Sequence, residues 1–339
     1  MPRAAAFALL LLLPLAACST RDPFSNPFQD PRPGWATVPV EPGAPWGLAM
    51  FDGTRGTVLT WHDLSQAVAW ADVVVIGEQH DDPVAHQVQQ AIVAESMARF
   101  PRTAVALEML ERPEQAQVDA YLRGELTVDE FVDATGSRNW AGKDSWMTFY
   151  QPVLDSARDT QSRVVAANAP RPLVRRARTE GYESLLILPP EERAQVDLPQ
   201  HPGSAEYRRR FDEVMRGNSG DDAPSQEALD RTWRSQRVWD ATMARSVMRS
   251  RDTAIQQPGG AQAARKVILL VGQFHSDFDG GVVSEMSAYD PLAKILVISV
   301  QRRNADVLDP SDYGRAAIVV YSGEAPPAAD AETTDPQAG

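Results

Sequence analysis

Six apolar runs of strand length recur along the chain: "DVVVIG" (72–77), "TAVALEM" (103–109), "RVVAANA" (163–169), "KVILLVG" (266–272), "KILVISV" (294–300) and "AAIVVYS" (316–322). They are almost continuously apolar and do not alternate, the mark of strands covered on both faces. Helical periodicity fills the intervals between them. The predicted class is therefore α/β, with a mainly parallel central sheet flanked by helices. Ahead of the first run, "GLAMFDGTRGTVLT" (47–60) has turn signals at Asp52-Gly53 and Gly56 and reads as a hairpin leading into the domain.

The helices carry their own punctuation. Asp82 caps one and Pro83 suits its first turn. Val84, Val88, Ala91 and Ile92 form its core stripe, and His86 is expected on its surface. Thr127 and Glu130 make a capping box. Pro152 lies inside "SWMTFYQPVLDSARDT", so this helix should kink or break in two. Nearly a hundred residues separate the third and fourth runs, mostly of helical pattern, which predicts an inserted helical subdomain over about 171–250. Its last helix is unusual. Leu229, Trp233, Gln236, Asp240, Met243, Ala244 and Val247 share one face, placing an amide and a carboxylate in an apolar stripe. A structural hydrogen-bond network is the expected reason.

The two ends of the chain add a cellular address. Arg3 precedes an apolar run, Ala4 to Ala17, too short to span a bilayer and followed by "CST". Residues 1–17 read as a signal peptide, and Leu15-Ala16-Ala17-Cys18 matches a lipobox in which Cys18 is lipidated. Ser19 after it points to the outer membrane of a Gram-negative envelope, with the acyl chain as the membrane anchor. Cys18 is the single cysteine, which excludes disulfides and cysteine-based metal sites or nucleophiles. Residues 18–46, rich in proline, form a tether; 47–323 form the α/β domain; 324–339 are low-complexity and read as a disordered tail. The net charge of −13 comes with no basic stripe and argues against a nucleic-acid partner.

Chemistry gathers at the strand ends. Glu78 and His80 follow the first run, Glu108 ends the second, Asn168 the third, and His275 follows the fourth. In open α/β sheets ligands bind outside the carboxyl ends of the strands. Gly-x-x-His occurs twice after a hydrophobic run, as Gly77-Glu78-Gln79-His80 and Gly272-Gln273-Phe274-His275. Glu78, His80, Glu108 and His275 could hold a divalent metal such as Mn or Fe, or supply a general acid and base. His62 and His201 lie in turn-like contexts and receive no role.

Several blocks then follow, in order, a known pattern: "GEQHDDPVAHQVQQ", "LEMLERPEQAQVDAYLRGEL", Trp140-x5-Trp146-x3-Tyr150-x-Pro152, "VVAANAPR", "WDATMA" and "GQFHSDFDGG". The chain resembles the ChaN-like haem-binding uptake lipoproteins, of the superfamily that includes Tiki-type proteases and erythromycin esterases. The resemblance covers about 72 to 300. It implies a haem-binding lipoprotein of iron acquisition, with a tyrosine on the haem iron, haems held between two subunits of a homodimer, and an outer-membrane haem receptor as partner. Tyr150 is the best match to that ligand, tyrosinate being an oxygen donor suited to ferric haem. Trp140, Trp146, Met147 and Phe149 would wall the porphyrin, and Arg138, Lys143 or Arg171 would meet its propionates. The superfamily also implies an alternative: a metal-dependent hydrolase using Glu78, His80, Glu108 and His275. No Gly-x-Ser-x-Gly or His-Glu-x-x-His is present to support the usual nucleophile or zinc-protease chemistry.

Overall fold

The computed structural model describes residues 47–217, 223–252 and 262–323. The expected signal peptide, lipidated Cys18, proline-rich tether and tail fall outside them. Eight strands form one sheet: β1 (Ala49–Asp52), β2 (Val58–Leu59), β3 (Val73–Glu78), β4 (Thr103–Glu111), β5 (Arg163–Asn168), β6 (Lys266–Gly272), β7 (Ile295–Gln301) and β8 (Ile318–Tyr321). Their order is β2-β1-β8-β7-β3-β6-β4-β5. Every neighbouring pair from β8 to β5 is parallel, and the hairpin β1–β2 adds antiparallel to one edge through β8.

Thirteen α-helices of the described residues cover it: α1 (Trp61–Trp70), α2 (Pro83–Arg99), α3 (Gln115–Leu122), α4 (Val128–Thr135), α5 (Ser145–Phe149), α6 (Gln151–Asp159), α7 (Arg171–Glu180), α8 (Glu183–Leu186), α9 (Pro190–Arg193), α10 (Ala205–Arg216), α11 (Gln226–Arg251), α12 (Gln273–Ser276) and α13 (Gly281–Tyr289). The continuous apolar runs are explained by the two layers they serve. Val74 and Ile76 of β3 join the core beneath α1, α2 and α6, whereas Val73 and Val75 join a second core with Met243 and Val247 of α11 and Val282 of α13. A pleated strand with a covered surface on each side has no polar face to display.

Local signals act as their chemistry requires. Asp82 accepts from the backbone N–H of Val84 at 3.0 Å and of Ala85 at 3.3 Å, starting α2. The aromatic helix breaks at Tyr150 into α5 and α6, with Pro152 in the first turn of α6, where its missing N–H costs nothing. The region 171–250 is helical, but α11 lies directly on the sheet, packing on β4, β5 and β6. His86 departs from its expected place: it is buried, not on the helix surface, because Phe149 stacks on it at 4.0 Å and Tyr150 meets it edge-on. That face of α2 is roofed by α5 and the start of α6.

Candidate functional site

The two Gly-x-x-His segments interlock. β3 and β6 are paired neighbours, with Gly77 opposite Val271 and Glu78 opposite Gly272. A Cβ at Gly77 would stand 2.5 Å from the Ser276 hydroxyl and 3.0 Å from the Gln273 Cα, so this glycine admits α12. A Cβ at Gly272 would stand 2.9 and 3.0 Å from the His80 ring and 3.5 Å from Glu108 Oε2. Each motif's glycine makes room for the other motif, and Gly272 leaves the notch in which His80 and Glu108 approach each other.

The first half of the site is built around Glu78. Its Oε1 accepts from Tyr150 at 2.8 Å and lies 3.0 Å from His80 Nδ1. Its Oε2 is buried without an aligned donor, although His86 Nδ1 stands 3.2 Å away and faces Gln89 Oε1 at 3.1 Å. His86 Nε2 meets the carbonyl of His80 at 3.0 Å and so ties α2 to the loop that carries His80. Burial pushes the Glu78 carboxyl up, but the charge of His86, the bond and charge of His80 and the Tyr150 hydroxyl outweigh it and hold it below the usual range. Burial likewise opposes a charge on His80, yet the Glu78 bond and the charges of Glu108, Glu78 and Asp81 push it up to about 9. The His80 side chain is 34% exposed, with its ring edge-on to Trp140 at 4.6 Å, and its Nε2 makes no hydrogen bond among the described residues.

The second half is sealed. β4 loses its register after Leu107, and this irregularity turns Glu108 toward Gly272, whose N–H donates to Glu108 Oε2 at 2.6 Å. The Asn168 side-chain amide donates to the Glu108 carbonyl at 2.9 Å and pins the bulge. His275 lies with Nε2 3.5 Å from Glu108 Oε1 and Nδ1 2.7 Å from Asp240 Oδ1. Asp240 Oδ2 accepts from the Tyr207 hydroxyl at 3.0 Å and from Arg237 at 3.3 Å; Gln236 donates to the Tyr207 oxygen at 2.8 Å. Burial opposes a charged His275, but Glu108 and Asp240 together raise its pKa, against the charge of His80.

A shallow cleft, open to solvent, adjoins the site at Glu108 and Trp140 and is lined also by Glu111, Glu114, Asn168, Arg171 and Trp239. Of the expected cofactor contacts, Trp140 and Arg171 line it. Trp146 does not: it is fully buried, packed on Phe131 and Tyr150 with its indole N–H on Gln151, and belongs to the core. Tyr150 is also fully buried, and burial together with the charge of Glu78 holds its phenol well above the usual range. Arg138 is paired with Asp129 and Asp133, and Lys143 is exposed.

The expected metal cage of Glu78, His80, Glu108 and His275 is not formed. Among the described residues no group of three or more His, Cys, Asp or Glu stands so as to hold a metal ion. The four residues do share one sheet edge, but they fall into two pairs, each imidazole Nδ1 on its own carboxylate, Glu78 for His80 and Asp240 for His275. The sequence pattern missed His86, Tyr207, Arg237 and Trp239. Asp240 and Gln236 carried a visible signal as polar breaks in an apolar stripe, and their network turns out to surround a site histidine.

Comparison with known proteins follows the same lines. Residues 64–286 match the family model described as haem-binding uptake, Tiki superfamily, ChaN. ChaN of Campylobacter jejuni, whose structure shows cofacial haem binding, superposes with a TM-score of 0.58 at 18% identity, over 81% of this chain and 96% of that one. The type III effector HopBA1 (TM-score 0.42, 15% identity, 84% and 99% covered) and an erythromycin esterase, EreC, in its open conformation (0.40, 13%, 75% and 76%) are more distant. No curated protein matches the sequence.

Proposed function

The chain belongs to the ChaN haem-binding uptake family of the Tiki superfamily, and from that premise we propose that it binds haem in the cleft beside His80 and serves haem or iron uptake from the cell envelope. The observation that carries the reading is an imidazole with Nδ1 fixed and Nε2 unbonded, one-third exposed, beside a cleft bounded by two tryptophans and an arginine. Haem, when bound, would supply an iron that accepts a nitrogen donor. His80 Nε2, unbonded and partly exposed, would be the donor held for it. Trp140 and Trp239 offer apolar surface to a porphyrin, and Arg171 a cation to a propionate. Tyr150 enters as support, donating its hydroxyl to the carboxylate that orients His80; to reach iron itself it would have to leave Glu78 and the core. The lipobox ending at Cys18 and the Ser19 after it support an acyl-anchored protein of the outer membrane, with a homodimer and a haem receptor as the partners that the family resemblance implies.

Haemin titrated into the soluble domain is expected to give a saturable Soret shift. His80→Ala should weaken binding at least about tenfold, the loss of about 1.4 kcal/mol or more, and Tyr150→Phe should leave it nearly intact. The reverse pattern would transfer the ligand to Tyr150, and an unshifted wild-type spectrum would sink the reading. Metal analysis of the protein as isolated complements it.

A second reading, a hydrolase, is supported by the Asp240–His275–Glu108 arrangement, which has the form of an acid–base pair with an orienting carboxylate. Its chemistry rests on proton transfer at His275 Nε2 and Glu108, and turnover of an ester and peptide panel that disappears in His275→Gln tests it.

A further inference from the structure

We propose that Asp240 is the positioning residue of His275: it fixes the ring proton on Nδ1 and thereby makes Nε2 the atom that exchanges a proton with Glu108. The inference is independent of the haem reading and of any particular substrate.

The geometry leaves Asp240 one role. Its Oδ1 lies 2.7 Å from His275 Nδ1, and its Oδ2 is already claimed by the Tyr207 hydroxyl at 3.0 Å and Arg237 at 3.3 Å. Asp240 is fully buried, and α13 starts against it so closely that a Cβ at Gly281 would fall 1.9 Å from Oδ2. Tyr207 and Arg237 both donate to Oδ2, so that oxygen is an acceptor and Oδ1 is the one that meets the ring. A carboxylate has no proton to offer, so Nδ1 must be the donor in this bond. Gln236 completes the ring of partners: its amide nitrogen donates to the Tyr207 oxygen at 2.8 Å, freeing the Tyr207 proton for Oδ2, and also lies 2.9 Å from His275 Nδ1, where it competes with Asp240 for that ring atom. The shorter contact, to the carboxylate at 2.7 Å, is the one to which we assign the Nδ1 proton.

With Nδ1 committed, Nε2 is the only ring atom left to face Glu108 Oε1, 3.5 Å away. Two acceptor atoms would repel at that approach, so one proton sits between them, on Nε2 or on Oε1. The other oxygen of Glu108 is held by the Gly272 N–H, which keeps Oε1 turned toward the ring. The pair can thus pass a single proton from Nε2 to Oε1 and back, the N–H bond breaking as the O–H bond forms.

Replacing Asp240 with asparagine makes a definite prediction. Tyr207 and Arg237 both donate to the Oδ2 position, so the amide must set its oxygen there and turn its NH₂ toward His275. Nδ1 then becomes the acceptor and the ring proton moves to Nε2. Long-range proton–nitrogen correlation spectra of protein labelled at histidine nitrogen, with His275→Gln to assign the signal, read this directly. In the wild type Nδ1 of His275 is expected to be protonated across the pH range in which the fold is intact; in Asp240→Asn the Nδ1 proton is lost and Nε2 carries it. Tyr207→Phe, which keeps the carboxylate, should retain the wild-type pattern. A wild-type Nδ1 without a proton, or an Asp240→Asn variant that keeps it there, overturns the proposal. Should Asp240→Asn not fold, the wild-type and Tyr207→Phe spectra still decide it.

Discussion

Two halves of one site, each a histidine on a carboxylate after a Gly-x-x-His turn, have been given opposite surroundings. The Glu78–His80 half reaches solvent, with the His80 side chain 34% exposed and edge-on to Trp140 of the cleft; the Asp240–His275 half is closed beneath α10, α11 and α13, with the His275 side chain at 6%. In both, the carboxylate is buried and takes further donors, Tyr150 for Glu78, Tyr207 and Arg237 for Asp240. A carboxylate in this position orients a ring whether or not the ring is accessible. The difference therefore lies in what the free Nε2 can meet: an incoming ligand in the open half, and only Glu108 in the closed one. Shared sequence spacing set the backbone turn, and the covering helices decided the chemistry.

The comparison breaks first at its glycines. Gly281→Ala forces a Cβ onto the buried Asp240 carboxylate and to within 2.6 Å of the Tyr207 ring, neither of which has space to yield. A loss of about 1–3 kcal/mol, the usual range for overpacking, is expected in urea unfolding. Gly272→Ala meets the His80 ring, which lies toward solvent and can swing away, so its stability cost should be the smaller. It should nevertheless displace Nε2 and weaken haem binding. Equal destabilisation by both would mean that the open half is as rigid as the closed one.

Exchanging the rings themselves is the next test. His275→Gln leaves Asp240 buried without its 2.7 Å partner, a charge-assisted bond whose loss is expected to cost about 1.5–3 kcal/mol. His80→Gln removes a bond at the solvent edge, where water can replace the ring, and should cost about 1 kcal/mol or less. Denaturant midpoints of the two variants should separate accordingly, and a reversed order would contradict the assignment of open and closed halves.

Much of this arrangement is legible in the sequence. The apolar runs identified the central parallel strands, because strands covered twice have no polar face, and the paired Gly-x-x-His turns brought Glu78, His80, Glu108 and His275 to one edge. What the linear pattern lacked was the packing of distant helices. His86 looks like a surface residue on α2 until α5 is laid over it, and Trp146 looks like a pocket wall until its indole N–H is found on Gln151. Counting ligand-type side chains at an edge likewise cannot show that Asp240, from a helix 35 residues before His275, holds one ring nitrogen and leaves the other facing Glu108.

The cleft beside the open half carries a subtler contrast. Glu78 is buried among donors and is held charged, whereas Glu114 on the cleft wall has few: burial pushes its carboxyl up to about 7, with the Glu111 backbone bond pulling the other way. A folded pKa above the ordinary 4.5 means that the folded protein keeps a proton which the unfolded chain gives up between these values. This group's contribution is therefore most favourable below pH 4.5, falls as pH rises toward 7, and is constant above. Glu114→Gln keeps an acceptor for the Glu111 N–H and removes the titration. It should match the wild type in melting temperature at about pH 4.5 and exceed it at pH 8, by less than about 1 kcal/mol after solvent screening. Melting curves at the two pH values measure the difference, and a pH-independent gap would show that Glu114 does not hold its proton in the fold. The open half would then face a fully charged wall at every pH near neutrality, with Arg171 the arginine among its described lining residues to balance both that wall and an incoming carboxylate.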